Sequence, residues 1–283
     1  MRRLIVIALD GARPDALLQA ATPHIKTLAQ TGASAWEAQT IFPPATLPAH
    51  ASLLTGLDVA DHGVDWNGTN IGCLPIESPT FITEAAAAGY RTAMVVGKEV
   101  FCHLHQSDAV DYSFARAGDR SVVDRVIELL DADYEVLFVH LPNPDYFGHS
   151  TNWMSTTYLN ELANTDRQVG RILSTLETTS ADTHTWVIIT ADHGGHEVRH
   201  GQNIPADMNI PWLIWGSGVQ VNIALDHPAD TPINIADTAA TARWLLDLPQ
   251  ADHSLGQPVC AAFTAEMLEK RPCPQYSNHS EVE

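Results

Sequence analysis

The sequence predicts an α/β protein, a three-layer sandwich in which helices flank a central, mainly parallel sheet. Short β-branched runs alternate with longer amphipathic runs, which is the pattern of strands and helices in such folds. The short runs are almost continuously apolar, as expected of parallel strands buried on both faces. Acidic residues and histidines directly follow several of these runs, so polar chemistry is expected at the carboxyl ends of the strands.

The predicted elements cover much of the chain. Five strands are predicted, at Leu4–Leu9, Thr92–Val96, Val136–Leu141, Trp186–Thr190 and Trp212–Trp215. Helical periodicity marks six segments, at Pro14–Gln30, Leu47–Leu54, Phe81–Ala88, Ser121–Asp131, Thr157–Thr178 and Ile235–Leu246. A chain of 283 residues can bury a full core in one domain. We therefore expect one domain over residues 1–270 and a flexible tail over residues 271–283, where Pro, Ser, Asn and Glu dominate.

Charge and hydropathy exclude some partners. The net charge of −19 disfavours binding to nucleic acid polymers, because such binding requires cationic side chains to neutralise phosphates. The apolar run Leu4–Leu9 is shorter than the core of a signal peptide and is followed by Asp10. No stretch approaches the roughly 18 apolar residues of a membrane span. These features predict a cytoplasmic protein without a membrane partner. Its four cysteines lack Cys-x-x-Cys spacing and do not predict a disulfide framework.

The clearest chemical signal lies between Trp186 and Gly201. An apolar run ends in Asp192-His193-Gly-Gly-His196, and His200 follows four residues later. Carboxylate oxygen and imidazole nitrogen are ligands that suit Zn²⁺, and glycines allow the sharp turn that brings neighbouring side chains together. Alone, this cluster also fits a solvated loop.

Two other predicted strands end in similar residues. Asp10 follows the first strand, and Asp145 and His149 follow Val136–Leu141. Ligands of open α/β sheets bind outside the carboxyl ends of strands. Three strands that deliver such groups to one edge therefore predict a metal site there.

A second signal is Thr46, which stands at the start of a predicted helix with Pro48 in its first turn. One interpretation is a helix cap, because threonine is a favoured N-cap residue. The other is a nucleophile, because the N-terminal end of a helix favours an anion and a metal ion can activate a hydroxyl group. The residue pattern leaves both interpretations open.

Six ordered segments together resemble the alkaline phosphatase superfamily, and within it the nucleotide pyrophosphatase/phosphodiesterase branch. They are Ala-Leu-Asp10-Gly, Phe-Pro-x-x-Thr46-x-Pro-x-His-x-Ser-Leu-x-Thr-Gly, His62-Gly-Val-x-x-Asn67, Pro144-Asp145-x-x-Gly-His149, Asp192-His193-Gly and His200-Gly-x-Asn. The resemblance implies an alkaline phosphatase-like core. It also implies two zinc ions, although other divalent metals such as manganese would be possible.

The resemblance assigns a role to each matching residue. Asp10, Asp192 and His193 would hold one ion, Asp145, His149 and His200 would hold the other, and Thr46 would bridge the two as the nucleophile. Asn67 would donate to a phosphoryl oxygen of the substrate together with the Thr46 backbone N–H. His196 competes with His200 as the last ligand, and we prefer His200 because an apolar strand follows its segment.

The implied reaction is hydrolysis of phosphodiester or pyrophosphate bonds in small nucleotide-like substrates through a phosphothreonine. A sulfatase is disfavoured, because the Cys/Ser-x-Pro-x-Arg motif is absent. Phosphomonoesterase and phosphonoacetate hydrolase-like activities stay open. Phosphonoacetate hydrolase binds the carboxylate of its substrate with two lysines in a Lys-x-Lys pair. Lys98 matches the first of these lysines, so it is a candidate substrate-binding residue. A non-catalytic metal-binding protein is a remoter alternative. Nearby aromatic residues are candidates for contact with the leaving group, namely Trp66, Tyr146, Phe147, Trp153 and Tyr158.

Overall fold

The centre of the protein is an eight-stranded sheet. A computed structural model describes residues 2–68, 73–116, 118–179, 184–225 and 232–274. The strands are β1 (Arg2–Leu9), β2 (Ala33–Gln39), β3 (Thr92–Val96), β4 (Val110–Phe114), β5 (Val136–Leu141), β6 (His184–Thr190), β7 (Asn209–Gly216) and β8 (Ile223–Ala224). Their order across the sheet is β4-β3-β5-β1-β6-β7-β2-β8. Within this sheet β7 alone runs against its neighbours, so the predicted mainly parallel arrangement is confirmed.

Helices cover both faces of the sheet. They are α1 (Pro14–Gln19), α2 (Pro23–Thr31), α3 (Thr46–Thr55), α4 (Val59–His62), α5 (Phe81–Ala87), α6 (Asp119–Asp131), α7 (Asn143–Thr151), α8 (Thr156–Thr179), α9 (Pro205–Met208), α10 (Asp237–Leu246) and α11 (Ala265–Lys270). Short 3-10 helices occupy Glu99–His103 and Cys260–Ala262. Among the described residues, no helix is both long and apolar enough to cross a membrane.

All five predicted strands are present, and β1, β5 and β6 are buried along almost their whole length. The register pairs Leu4–Leu9 of β1 with Val136–Leu141 of β5. Each residue of this stretch is below 1% exposed, which explains the continuous apolar runs.

One sequence prediction about secondary structure is wrong, and one helix near the site was not predicted. The segment predicted as a single helix over Pro14–Gln30 is two helices, α1 and α2. The break falls before Pro23, because a proline disfavours helical geometry at the residue that precedes it. The helix α7 was not predicted, since its start carries an Asn-Pro sequence that is typical of a turn.

The four cysteines form two disulfide bonds, which their spacing does not reveal. Cys73 is bonded to Cys102 and Cys260 to Cys273, across 29 and 13 residues. The second bond holds the start of the predicted tail, where the Arg271 guanidinium also lies 5.6 Å from the Trp244 ring centre. Residues 275–283 of that tail lie outside the described residues.

Candidate active site

The site lies where four neighbouring strands end. In the order β3-β5-β1-β6, all four run parallel, so their carboxyl ends meet at one edge. The residues delivered there are Lys98 after β3, Asp145 after β5, Asp10 after β1, and Asp192 with His193 after β6. Sheet topology therefore brings together side chains that are up to about 180 positions apart in sequence.

One group of potential ligands consists of Asp10, Asp192 and His193. One ligand atom from each residue lies within 4.8 Å of the others. The His193 Nε2 is 3.5 Å from Asp10 Oδ1 and 3.4 Å from Asp192 Oδ2. All three side chains are fully buried.

A second group forms around Asp145. Its Oδ1 atom is 3.3 Å from His149 Nε2 and 3.8 Å from His200 Nε2. His193 also comes within 4.8 Å of Asp145 and His200, and its ring stacks on that of His200 with centroids 3.7 Å apart. Thus the six residues predicted as metal ligands lie in one continuous cluster, with His193 next to both groups.

The three histidines of this cluster share one orientation. Their Nδ1 atoms donate to backbone carbonyl oxygens, His149 to Val198 at 2.8 Å, His193 to Gly194 at 2.7 Å and His200 to Pro44 at 2.8 Å. A carbonyl oxygen can only accept, so in each neutral ring Nδ1 carries the proton and Nε2 offers a lone pair. Such bonds fix the tautomer and ring orientation of metal-ligating histidines. Burial and neighbouring His193 lower the pKa of His200 to about 4, which keeps this ring neutral.

In each of the three carboxylates, one oxygen has no hydrogen-bond partner among the described residues. Asp192 Oδ1 accepts from the backbone N–H groups of Gly11 and His193, both at 3.0 Å. Its Oδ2 has no hydrogen-bond partner among the described residues, and the same holds for Oδ1 of Asp10 and Oδ1 of Asp145. These free oxygens are the atoms that face the imidazole Nε2 atoms.

Unpaired buried polar atoms are costly unless they bind something. Burial and the neighbouring charge of Asp10 raise the pKa of Asp192 well above its usual range, and a bound cation would favour the ionised form of this carboxyl group. Deprotonated oxygens and Nε2 lone pairs that converge in a buried cluster are the donors that Zn²⁺ prefers. The residues therefore fit two divalent metal ions.

Thr46 lies beside this cluster. It is the first residue of α3 and is 2% exposed. Ala45 is the N-cap residue, and the N-cap position makes no side-chain capping hydrogen bond, so the interpretation of Thr46 as a helix cap is wrong. Its Oγ1 instead accepts a hydrogen bond from Lys98 Nζ at 3.1 Å.

Asn67 approaches the same end of α3. Its Oδ1 accepts from the Leu47 backbone N–H at 3.1 Å. Because that bond occupies the carbonyl oxygen, the amide nitrogen is the end of the side chain that can serve as a donor. This orientation is compatible with the predicted role of Asn67 toward a phosphoryl oxygen.

Sequence reasoning missed His140, which lies near the end of β5. Its Nδ1 accepts from the Gly97 N–H at 3.2 Å, so its Nε2 is protonated and donates to Asp10 Oδ2 at 2.7 Å. A histidine inside the apolar run Val136–Leu141 was the available signal.

His196, the competing ligand, is already engaged. Its Nδ1 pairs with Asp207 Oδ1 at 2.7 Å, and its Nε2 accepts from Arg199 at 3.2 Å. This arrangement favours His200 as the ligand. Two other histidines make structural contacts, since His50 bonds the Thr46 carbonyl oxygen and His62 bonds Ser52.

The aromatic residues near the motifs differ in their exposure to solvent. Trp153 and Tyr158 are buried and both donate to the Gly11 carbonyl oxygen. A Cβ atom at Gly148 or Gly195 would lie 2.4 or 2.3 Å from the Trp153 ring, so this ring fills the space that the glycines leave and packs within the core. Tyr146, beside Asp145, is 68% exposed and is the member of the set best placed to meet a substrate.

Comparison with solved structures shows the same fold in other proteins. The murine ectonucleotide pyrophosphatase/phosphodiesterase 5 superposes with a TM-score of 0.78 at 15% identity, covering 93% of this chain and 100% of that one. The phosphonate monoester hydrolase of Silicibacter pomeroyi superposes with a TM-score of 0.71 at 16% identity, over 92% of this chain and 76% of that one. Both have the fold described here.

Sequence relatives include the GPI ethanolamine phosphate transferase 1 of Candida glabrata and that of Neurospora crassa. Each is 25% identical, over 80% and 95% of this chain respectively. The chain spans only 28% and 32% of their lengths. The profile of the type I phosphodiesterase / nucleotide pyrophosphatase family matches residues 4–224. With this match over most of its length, the chain belongs to the type I phosphodiesterase / nucleotide pyrophosphatase family, within the alkaline phosphatase superfamily.

Proposed function

We propose that this protein is a two-zinc phosphodiesterase that hydrolyses phosphodiester or pyrophosphate bonds of small nucleotide-like substrates. The observation that carries the proposal is the position of Thr46, whose hydroxyl group lies at the start of α3 and is joined through Lys98 to Asp10 and Asp145. These two carboxylates belong to the two different ligand groups. A nucleophile between two metal sites is the arrangement used for in-line displacement at phosphorus.

In this proposal the residues of the chain have separate tasks. Asp10, Asp192 and His193 hold one ion, and Asp145, His149 and His200 hold the other. When bound, zinc or another divalent ion such as manganese would offset the charge on the attacking and leaving oxygens.

Thr46 Oγ1 attacks the phosphorus atom and the leaving group departs, which forms a phosphothreonine. Water then cleaves the phosphothreonine and restores Thr46. The Asn67 amide and the Thr46 backbone N–H bind the non-bridging oxygens of the phosphoryl group, as preorganised donors that require no rearrangement during the reaction.

A transferase is the second candidate, because the sequence relatives are GPI ethanolamine phosphate transferases. A phosphothreonine can pass its group to an alcohol instead of water, so the same residues would serve both reactions. The partner would be a small phosphoester in either case. Phosphomonoesterase and phosphonoacetate hydrolase-like activities use the same site and stay as alternatives.

Turnover of bis-p-nitrophenyl phosphate and of p-nitrophenyl phosphate, measured side by side with zinc-loaded protein, tests the proposal. We expect the diester to be hydrolysed faster at mildly alkaline pH. A strong preference for the monoester would contradict the diesterase assignment. Adding an alcohol such as glycerol as an acceptor separates the second candidate, because a transferase would release p-nitrophenol and form the mixed p-nitrophenyl phosphodiester of that alcohol.

A further inference from the structure

Lys98 holds a position that its predicted substrate-binding role does not explain. The residue follows β3 directly, and the backbone before it has little freedom. A Cβ atom at Gly97 would lie 2.2 Å from the Pro142 side chain, and the Gly97 N–H is bonded to His140. The end of β3 is therefore closely packed against the end of β5. This packing fixes the backbone position from which the Lys98 side chain reaches the site.

All three donors of the Lys98 ammonium group are used by the protein. Its Nζ lies 2.6 Å from Asp10 Oδ2, 2.7 Å from Asp145 Oδ2 and 3.1 Å from Thr46 Oγ1. A lysine ammonium has three N–H donors. No N–H donor of Lys98 is left to bind the carboxylate of a substrate. Binding that carboxylate is the role of the two lysines in a Lys-x-Lys pair.

The contacts of Lys98 do not compete with those expected of the metal ions. Lys98 bonds the Oδ2 atoms of Asp10 and Asp145, whereas the Oδ1 atoms of both residues are the unpaired ones that face the histidines. The two carboxylates can thus anchor Lys98 through one oxygen each and use the other for an ion.

We infer that Lys98 is a catalytic residue whose ammonium group, anchored by Asp10 and Asp145, donates to the nucleophilic oxygen of Thr46. This inference rests on the proposed function. In the first step the Thr46 Oγ1–P bond forms, the bond from phosphorus to the leaving oxygen breaks, and the Thr46 hydroxyl proton reaches the leaving oxygen by way of solvent. In the second step water attacks, the Oγ1–P bond breaks, and Thr46 regains a proton. Lys98 keeps its own protons and stabilises the charge that Oγ1 carries as it enters and leaves.

The inference predicts that turnover and metal affinity respond differently to loss of Lys98. Removing one donor to a charged reacting oxygen lowers kcat by about 100-fold or more. The ammonium group repels a divalent ion, so its removal leaves zinc affinity unchanged or raised. A substrate-binding lysine would instead act on KM, and a lysine needed only for folding would lower turnover and zinc binding together.

The test compares Lys98→Met, which keeps the length of the side chain without its charge, with Lys98→Arg. The control is Lys270→Met, which changes an exposed lysine that pairs with Glu266. Calorimetric zinc titration, kcat and KM on bis-p-nitrophenyl phosphate, and mass spectrometry of acid-quenched protein are measured for each. We expect Lys98→Met to lose about 100-fold in kcat, with KM within about twofold, zinc affinity at or above that of the native chain, and slower phosphorylation of Thr46. Lys98→Arg should fall between Lys98→Met and the native chain, because it keeps the charge but not the three converging donors.

A rise in KM with unchanged kcat would overturn the inference in favour of substrate binding, and so would loss of zinc binding in Lys98→Met or unchanged kinetics. The proposed function fails by a different result, namely a Thr46→Ala variant that turns over at the native rate. Lys98 and Thr46 variants together therefore separate the two failures.

Discussion

His140 donates a hydrogen bond from Nε2 to Asp10 Oδ2 over 2.7 Å, and both side chains are fully buried. The other ring nitrogen accepts from the Gly97 N–H, so the ring cannot turn without losing one bond. This contact holds Asp10 with its unpaired Oδ1 toward His193. Partners that orient a ligand in this way typically contribute 10- to 100-fold to metal affinity.

We therefore expect His140→Ala to lower zinc affinity by roughly 10- to 100-fold. Calorimetric titration of metal-free protein with zinc measures the change. His184→Ala is a matched control, because His184 is an exposed residue at the start of β6, the opposite end from the site. Equal zinc affinities in the His140 variant and the native chain would show that Asp10 needs no such support.

Thr46→Ala is expected to abolish turnover while leaving zinc binding and thermal stability close to native. The hydroxyl group caps no helix, so its loss should cost less than the roughly 1 kcal/mol of a removed N-cap. Thr46→Ser keeps a hydroxyl group at the same place and should retain part of the activity. Kinetics and thermal melts of both variants provide the test, and near-native turnover in the alanine variant would exclude covalent catalysis at this residue.

The sheet was predictable where local sequence and tertiary environment agree. The runs that became β1, β3 and β5 are almost continuously apolar because both faces are covered. β2 was not predicted, because its sequence Ala-Ser-Ala-Trp-Glu-Ala-Gln has few β-branched residues. This strand is held by pairing with β7 and β8, which is a contact that no local pattern encodes.

The candidate site was also only partly predictable from the sequence. Its potential ligands occur in short ordered segments and could be named from the sequence. The contact of His140 with Asp10 depends on β5 lying beside β1, and the contacts of Lys98 depend on β3 lying beside β5. Strand order therefore had to be known before the partners of these two residues could be named.

The paired cysteines bear on the predicted cytoplasmic location. Disulfides persist in oxidising compartments and are rare in the cytosol, whereas both pairs are bonded here. For protein purified without reductant we expect fewer than one reactive thiol per chain in a denaturing thiol titration, and four after reduction. Four thiols before reduction, in protein taken from its native cells, would support the cytoplasmic prediction and contradict the bonded pairs.

Tyr146 is expected to act on substrate binding alone. The residue is 68% exposed and follows Asp145 in the sequence, so its ring can stack on a base or an aryl group. Tyr146→Ala should raise KM for an aryl diester by up to about tenfold, from the 0.5–1.5 kcal/mol of an aromatic pair, with little change in zinc affinity. Tyr146→Phe retains the ring and should keep the native KM. An equal loss in both variants would point to the hydroxyl group instead of the ring.

Asp119 supports α7, the helix that carries Asp145 and His149. Its Oδ1 accepts from the Asn143 backbone N–H at 3.0 Å and its Oδ2 from Thr165 Oγ1 at 2.6 Å. Burial, with a contribution from Glu161, raises the pKa of Asp119 to about 7. Because this pKa is higher in the folded state than in the unfolded state, the folded protein binds more protons between about pH 4 and pH 7. The contribution of Asp119 to stability is thus fully present below about pH 4 and is lost as the pH rises through 7, by an upper limit of about 4 kcal/mol at 1.36 kcal/mol per pKa unit.

Asp119→Asn cannot ionise and should remove this part of the pH dependence. We expect urea unfolding at pH 5 and pH 8 to show a smaller fall in the free energy of unfolding for the variant than for the native chain. Asp124→Asn is a suitable control, because Asp124 lies on the same helix, α6, and is exposed. If the native chain and the Asp119 variant lose the same stability between the two pH values, the carboxyl group is ionised throughout this range and its burial is compensated by its hydrogen bonds.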